Sequence, residues 1–479
     1  MGDMANTPEL SDRPRILVVG GGYVGLYVAL KLQNKVKAHG GIVTVVDPLP
    51  YMTYQPFLPE VAAGQIEPRH AIVSHRTHLD NAELITGRVS SVDHANRTAV
   101  VVPTDGEPFE LGYRDVVMAA GAITKTFPIP GLAEQGIGLK TIEEAVALRN
   151  KVLERIESAS LMRDPAERRR ALTFVVVGGG FAGIETITEM EDMARAAVAK
   201  TSRIEQDEVR FVMVEAMGRI MPEVTEEQAR WVVEHMRSRG IEVLLNTSLA
   251  KAEGGKLELM NMPDKSPGES FETDTLVWTA GVQANPMIRS TDFPIEPRGR
   301  VRTGTDLRIT GDDGPIEGAW AAGDIAAVPD VTGGLPDGTC VPNAQHAVRQ
   351  AKLLASNIYA TRYGVGQVRE YEHKNLGAVA GFGTGKGVAK IMGVQLRGFP
   401  AWAAHRGYHG MAMPTFERKY RVVSDWIASL LFQRDTTQIR DLQDPRRQFV
   451  EAATPKPKLA EKSSDNAEKS ADLQEAAAK

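Results

Sequence analysis

Residues 15–47 read RILVVGGGYVGLYVALKLQNKVKAHGGIVTVVD, and this stretch decides the fold. Arg15 to Gly20 is an apolar, β-branched run of the kind that forms a parallel strand buried on both faces. Gly20-x-Gly22-x-x-Gly25 follows at once and opens a helical pattern over Leu26 to Leu32, after which a second strand, IVTVVD, ends at Asp47. Strand, glycine turn, helix, strand and terminal acid together make a dinucleotide-binding unit. The first glycine permits the tight turn, the second lets backbone amides approach a pyrophosphate, and the third lets helix and strand pack closely; the helix N-terminus then faces the anion. Asp47 is placed to accept hydrogen bonds from a ribose diol.

The same unit recurs further along. Leu172 to Val177, LTFVVV, runs into GGGFAG, with Gly178, Gly180 and Gly183 in the same spacing, and the apolar strand VRFVMVE ends at Glu215. The longer distance to that acid is predicted to be extra helix, from Met193 through Lys200 to Asp207. Each turn could close a strand and helix without a ligand. Two complete units in one chain point instead to two different dinucleotides exchanging electrons, and a flavin and a nicotinamide are the natural couple. Glu215 suits both ribose hydroxyls and repels a 2′-phosphate, which favours NADH over NADPH, while Arg219 nearby softens that preference.

Composition narrows the chemistry. At roughly 150 residues per domain, 479 residues predict about three domains. Lys plus Arg number 56 against 61 Asp plus Glu, for a net charge of -5, so the chain lacks the basic field that nucleic acid requires. The one cysteine, Cys340, cannot supply a disulfide, a CxxC pair or a four-thiolate site, and is read as a small packed hydrophobe. Redox chemistry therefore falls to a bound organic cofactor. The first residues, MGDMANTPELSD, are polar and acidic, unlike a secretory signal, and Asn6 breaks the myristoylation pattern that Gly2 would begin. With no apolar span of ~20 residues, the sequence predicts no membrane crossing and a cytoplasmic location.

The order of motifs resembles the two-dinucleotide-binding-domain flavoprotein superfamily. Val116 to Gly131, VVMAAGAITKTFPIPG, resembles the strand and Ala-x-Gly turn leaving its FAD domain, with Gly121 at the turn; Trp278 to Pro286, WTAGVQANP, is the counterpart in the second domain, with Gly281. Gly318 to Ala326, GAWAAGDIA, resembles the late FAD motif, in which Gly323 shapes the turn and Asp324 would hold the ribityl chain. The resemblance implies an α/β fold of two Rossmann-like domains. A discontinuous FAD domain would take residues 13–133 and 295–369, and the NADH domain residues 134–294. A third domain would span residues 370–449, and residues 450–479, rich in Ala, Lys, Glu and Ser, read as a disordered tail.

A narrower likeness follows from Pro342 to Gln350, PNAQHAVRQ, which resembles the Ala-Gln-x-Ala segment of type II NADH:quinone oxidoreductases. It implies that Gln345 approaches a quinone head group. Where that family often ends the segment in a glutamine pair, this chain has Arg349 and Gln350, which weakens any role for Gln350. Tyr54 to Gly64, YQPFLPEVAAG, resembles the family's Pro-Leu-rich stretch near the flavin, or is ordinary loop packing. Glu185 sits two positions past Gly183, read as the first helical turn, where the macrodipole favours a carboxylate by ~0.3–1 kcal/mol. Dipole compensation alone could explain it. The resemblance implies instead that it relays protons to the quinone.

The third domain begins with LGAVAGFG and GVAKIMGVQLRG around a short TGK turn, predicting a β-hairpin, followed by two helices. In the second helix Phe416, Tyr420, Val423, Ile427 and Leu430 share one face, with Trp402 and Trp426 read as interfacial aromatics. Residues 396–434 are thus expected to lie on a membrane surface as a peripheral anchor on the cytoplasmic face of the cell membrane. A helix packed on its own flavin domain or on a second copy in a homodimer fits the same stripe. His405 and His409, one turn apart in HRGYH, lack the HExxH pattern and a third ligand, so they are expected to be polar interface residues and no metal is expected. The expectation is FAD-dependent oxidation of NADH with electrons passed to a membrane quinone, without proton pumping. The alternatives are a soluble FAD-dependent NADH oxidase or reductase of a redox protein, and a flavin-dependent nucleotide sensor.

Overall fold

Two parallel sheets, each opened by one of the glycine turns, organise the chain. The computed structural model describes residues 10–373, 377–432, 434–439 and 444–454. Residues up to 436 form one unit and those from 437 onward a second. In the second, Arg447–Ala453 is a helix that runs past position 450, where the tail was expected to begin; the remainder, residues 455–479, lies outside the described residues.

In the first unit the chain begins with β1 (Arg15–Val19), α1 (Tyr23–Ala38), β2 (Ile42–Asp47), α2 (Leu58–Ala62), β3 (Ala82–Asp93), β4 (Thr98–Pro103), β5 (Phe109–Gly112) and β6 (Asp115–Met118). It continues with β7 (Gly136–Ile137), α3 (Ile142–Ala159), β8 (Thr173–Val177), α4 (Phe181–Val198), β9 (Arg210–Val214), α5 (Glu226–Ser238), β10 (Ile241–Leu244) and β11 (Thr275–Trp278). It returns through β12 (Arg308–Gly311), β13 (Gly314–Ala321) and α6 (Ala344–Tyr363). Last come β14 (Gly377–Gly381), β15 (Gly387–Ile391), β16 (Val394–Arg397), α7 (Phe399–Ala412) and α8 (Phe416–Leu431).

The first sheet has the order β12-β13-β6-β1-β2-β3-β4-β5, and its middle, β13 through β3, is parallel. The late strand β13 pairs with β6, so the chain re-enters the first sheet after building the second. The second sheet, β7-β11-β8-β9-β10, is parallel throughout. Every residue of β1 and β8 is buried, as apolar runs covered on both faces must be. The two segments that leave the sheets, Ala122–Thr124 and Val282–Ala284, pair antiparallel with each other, so one ribbon ties the Gly121 and Gly281 turns together.

Two local expectations change. The surplus before β9 is not helix: α4 stops at Val198, and the chain reaches Glu215 through a loop and a short 3-10 turn at Gln206–Glu208. Thr201 and Ser202 favour turns over helix, and the Arg195 guanidinium reaches the Gln206 carbonyl to close the loop. The expected hairpin is a three-stranded antiparallel sheet, β14-β15-β16. Its second run breaks at Met392 and Gly393, both at positive φ (50° and 88°), which is the backbone a tight two-residue hairpin turn requires.

Candidate active site

Each glycine turn presents one free face. A Cβ on Gly20 would sit 2.6 Å from the Ala119 carbonyl oxygen, and one on Gly25 would strike the Gly20 carbonyl. In the second unit a Cβ on Gly178 would lie 2.8 Å from the Ala280 nitrogen, and one on Gly183 would strike the Gly178 carbonyl. These four glycines are needed for packing. Gly22 and Gly180 differ, because a Cβ on either meets nothing within 4 Å. Both cap the helices behind them, at φ -66° and -75°, so their own backbone does not require glycine. The open space lies at the N-termini of α1 and α4, where amide donors and the macrodipole favour a phosphate. The residues present therefore fit one pyrophosphate at each turn.

The terminal acids close the two cradles in the same way. Asp47 accepts from the Gly21 N–H at 2.6 Å and the Leu49 N–H at 2.7 Å; Glu215 accepts from the Gly179 N–H at 2.6 Å and the Met217 N–H at 2.8 Å. Burial pushes the Asp47 carboxyl up, with those amides pulling the other way. Sequence reasoning missed His75, which is buried beneath the first turn with Nε2 2.8 Å from the Gly21 carbonyl oxygen. It comes from a short helix capped by Ser74, with no motif to announce it. Arg219 does not face Glu215. Its guanidinium donates to the carbonyls of Met221, Pro222 and Val224 in its own loop.

Near the first cradle, Gly323 (φ 73°) turns Asp324 away from the end of β13. The Asp324 carboxylate accepts no hydrogen bond from the described residues, and burial pushes it up. A buried acceptor of this kind suits a polyol hydroxyl. Gln350, whose role the sequence left weak, is buried on α6 and accepts the Gly323 N–H at 2.8 Å, which holds this turn. Gln345 lies in the first turn of the same helix behind the Asn343 cap, half-buried, its amide without a hydrogen bond among the described residues.

Glu185 is the fifth residue of α4, beyond the first turn in which the sequence placed it, and compensation of the helix dipole no longer explains it. Its Oε1 accepts the Gly381 N–H at 3.0 Å and lies 3.4 Å from His405 Nε2. No hydrogen bond or ion pair links it to Gln345. His405 and His409, expected at an interface, are buried: their rings meet edge to face at 4.5 Å, and His409 Nδ1 shares a 3.0 Å hydrogen bond with the Tyr54 hydroxyl. Burial and His405 hold the His409 ring well below the usual imidazole range. One turn further along α4, buried Glu189 accepts from Gln65 Nε2 at 2.5 Å and from Arg434 at 3.4 Å. Burial pushes its carboxyl up to about 7, against the pull of Arg434.

Trp402 and Trp426 are buried rather than interfacial. The indole of Trp426 donates to Glu60 Oε2 at 2.6 Å, and Arg406 donates to the same oxygen at 2.9 Å. The Asp425 carboxylate lies 2.6 Å from His70 Nδ1, so α8 is pinned along one face to the segment between α2 and β3. Its other face is open: Phe416 is 83% exposed, Tyr420 68%, Ile427 52% and Leu430 58%. Among the described residues no helix is long and apolar enough to cross a membrane. Cys340 is buried, its thiol pushed up to about 12 by burial and by Asp330. Asp330, Cys340 and His346 bring ligand-type atoms within 4.8 Å of one another, but Asp330 accepts from Thr332 and His346 Nδ1 pairs with the Tyr371 hydroxyl.

Two pyrophosphate cradles on joined parallel sheets, with no cysteine pair beside them, define a two-dinucleotide oxidoreductase fold. The signature of the family described as pyridine nucleotide-disulphide oxidoreductase matches residues 14–351, and the chain belongs to that family. It is 27% identical over 434 residues to a probable NADH dehydrogenase of Dictyostelium discoideum, covering 89% of this chain and 92% of that one. It is 26% identical over 440 residues to the type II NADH:quinone oxidoreductase Ndh of Mycobacterium tuberculosis, covering 89% and 90%. Among solved structures, NDH2 from Plasmodium falciparum in complex with NADH superposes with a TM-score of 0.80 at 18% identity, over 89% of this chain and all of that one, and shares the fold.

Proposed function

We propose that this protein is an FAD-dependent NADH dehydrogenase that delivers its electrons to a quinone. The observation that carries the reading is the pair of cradles whose middle glycines, Gly22 and Gly180, leave space that no protein atom uses. The names of the full-length relatives agree with it. Although the family is named for disulphide chemistry, this chain has a single cysteine, buried and held as a thiol. A dithiol relay is therefore not available, and a small acceptor takes its place.

Residues divide by role. The turn of Gly20, Gly22 and Gly25 with Asp47 holds the adenosine diphosphate portion of FAD, while Gly121, Gly323 and Asp324 line its flavin end. Gly178, Gly180, Gly183 and Glu215 hold NADH, with Gly281 at the exit turn; the commitment of Arg219 to its own loop supports NADH over NADPH. Bound FAD supplies the two-electron chemistry. Gln345 orients the quinone through its free amide, and Glu185 supplies a proton. The balance per turnover is NADH + H⁺ + quinone → NAD⁺ + quinol.

Residues 13–133 with 295–369, and 134–294, serve as the FAD and NADH domains, and the part of 370–449 that lies in the first unit, up to 436, as the acceptor-side domain. The exposed stripe of α8 rests on a membrane from the cytoplasmic face, its aromatic and aliphatic residues in the headgroup region. Anaerobic addition of NADH to the purified yellow protein should bleach the flavin, and a quinone analogue should restore it. A protein that takes up no flavin, or a reduced flavin that quinone leaves untouched, would contradict the reading. Flotation with liposomes tests the membrane: the whole chain should float, and a variant with Phe416, Tyr420 and Ile427 changed to Gln should not.

A further inference from the structure

We propose that Asp330, Cys340 and His346 form a binding site for Zn²⁺ or another ion of its borderline-soft class. The site stands apart from the quinone reading, in which none of the three residues has a role. Their ligand-type atoms lie within 4.8 Å of one another; Cys340 and His346 are buried and Asp330 is half-buried. Local structure brings them together. An antiparallel bridge pairs Pro329 with Thr339, the Asp330 N–H donates to the Gly338 carbonyl, and the Cys340 N–H donates to the Val328 carbonyl, both at 2.8 Å, so Asp330 and Cys340 stand at the two ends of one closed loop. His346 arrives from the first turn of α6, its own N–H capped by the Asn343 side chain at 2.8 Å.

The bonds these groups already make prepare them as ligands. Asp330 Oδ1 accepts the Thr332 N–H at 2.9 Å and the Thr332 hydroxyl at 2.7 Å, which orients the carboxylate and leaves Oδ2 for an ion. His346 Nδ1 lies 2.9 Å from the Tyr371 hydroxyl; with that oxygen accepting, Nδ1 carries the proton and Nε2 presents its lone pair. A hydrogen-bond partner on the remote nitrogen is the usual support of a metal-bound imidazole. His373, whose ring centre lies 4.1 Å from that of His346, is no ligand: its Nδ1 accepts from Arg349 at 3.0 Å, so its Nε2 bears the proton. Three protein ligands and one open position result.

One thiolate, one imidazole and one carboxylate suit Zn²⁺, whereas Mg²⁺ and Ca²⁺ take oxygen ligands. Bonds of ~2.0–2.3 Å put tetrahedral ligands about 3.5 Å apart, so the cluster closes by about 1 Å on the ion. Cys340 can supply the movement, because its Sγ is held weakly, 3.9 Å from the Pro329 carbonyl oxygen. On binding, the Cys340 S–H bond breaks, the proton leaves to solvent and the sulfur electron pair bonds the ion. Thiolate and carboxylate together cancel its two charges. The bound ion ties the loop that follows β13 to the start of α6, and binding to the folded chain alone stabilises it.

The test uses Co²⁺ as a coloured stand-in for Zn²⁺, since a Co²⁺–thiolate bond gives a charge-transfer band and tetrahedral Co²⁺ absorbs to the red of flavin. Cys340 is the one cysteine of the chain, so a thiolate band reports this site alone. Titrated into the flavin-loaded full chain, free of any polyhistidine tag, Co²⁺ should raise both bands to saturation at one equivalent; Zn²⁺ should remove them, and a large excess of Mg²⁺ should not. Cys340→Ala should abolish the thiolate band. Asp330→Asn should weaken Co²⁺ binding by at least about tenfold, and Tyr371→Phe, which keeps the ring but removes the oxygen from His346 Nδ1, by about 10–100-fold. Zn²⁺ at about a hundred times its Kd should raise the melting temperature of the parent by a few degrees and leave that of Cys340→Ala unchanged. A parent without the thiolate band, binding undiminished in both Asp330→Asn and Tyr371→Phe, or equal stabilisation of parent and Cys340→Ala by Zn²⁺ would overturn the site.

Discussion

The two glycine turns are nearly superimposable problems with different neighbours. In both, the first and third glycines press on backbone, the middle glycine is open, and an acid bonds the amide that follows the first glycine. The surroundings then diverge. Seven residues past the first glycine, the first unit has Tyr27 and the second Glu185; eleven past it, the first has exposed Lys31 and the second buried Glu189. The first turn is sealed from below by His75, and α1 lies along α6 inside the flavin unit. The second helix, α4, instead meets the third region of the chain, where β14 and α7 engage its acids. The shared parts handle a pyrophosphate. On the proposed reading, the parts that differ serve what each nucleotide is for: the first turn would retain FAD, and the second would let NADH come and go.

The comparison breaks most sharply at the packed glycines. Gly25→Val and Gly183→Val would each drive a side chain into a carbonyl oxygen, and both should leave little soluble folded protein, as judged by expression and thermal melting; overpacking costs about 1–3 kcal/mol and backbone cannot yield as a side chain does. A stable, cofactor-binding Gly183→Val would end the claim that the two turns share one packing solution.

At the middle glycines the fold should survive and one ligand should go. Gly22→Val is expected to lose FAD while calorimetry still detects NADH, and Gly180→Val is expected to keep FAD and lose NADH by roughly 10³-fold, the loss of two charge-assisted bonds at about 1.5–3 kcal/mol each. At the seventh position, Glu185→Gln should slow quinone reduction by on the order of 10²-fold and leave NADH bleaching intact, whereas Tyr27→Phe should change neither by more than about twofold.

The smallest effect belongs to the eleventh position. The Glu189 carboxyl keeps its proton to higher pH folded than unfolded, so its contribution to stability is complete below about 4.5 and lost as pH rises through about 7. Glu189→Gln should therefore match the parent at pH 4.5 and melt about 2 °C higher at pH 8. Lys31→Gln, at the equivalent exposed place, should follow the parent at both.

Much of this was legible in the chain itself. Glycine spacing and apolar runs give both cradles and both acids, because a pyrophosphate site is built from backbone and leaves its requirements in consecutive residues; the two exit turns came from the superfamily resemblance. The buried cluster of His405, His409 and Tyr54 was not legible. Its members come from two distant stretches, and only packing brings them within reach; HRGYH alone reads as polar residues at an interface. The Trp426 indole was misplaced for the same reason, since a helix with one apolar stripe does not reveal that its polar side is pinned to Glu60. Glu185 went one turn astray because α4 begins at Phe181, inside the glycine turn.

The proposed chemistry requires NADH and the flavin to occupy separate turns of one chain. The most direct measurement is anaerobic flavin absorbance in Gly180→Val beside the parent protein, first with NADH and then with dithionite. The parent should bleach with NADH, and the variant should stay yellow with NADH yet bleach with dithionite. If both bleach with NADH alike, the second turn is not the NADH site and the account is wrong.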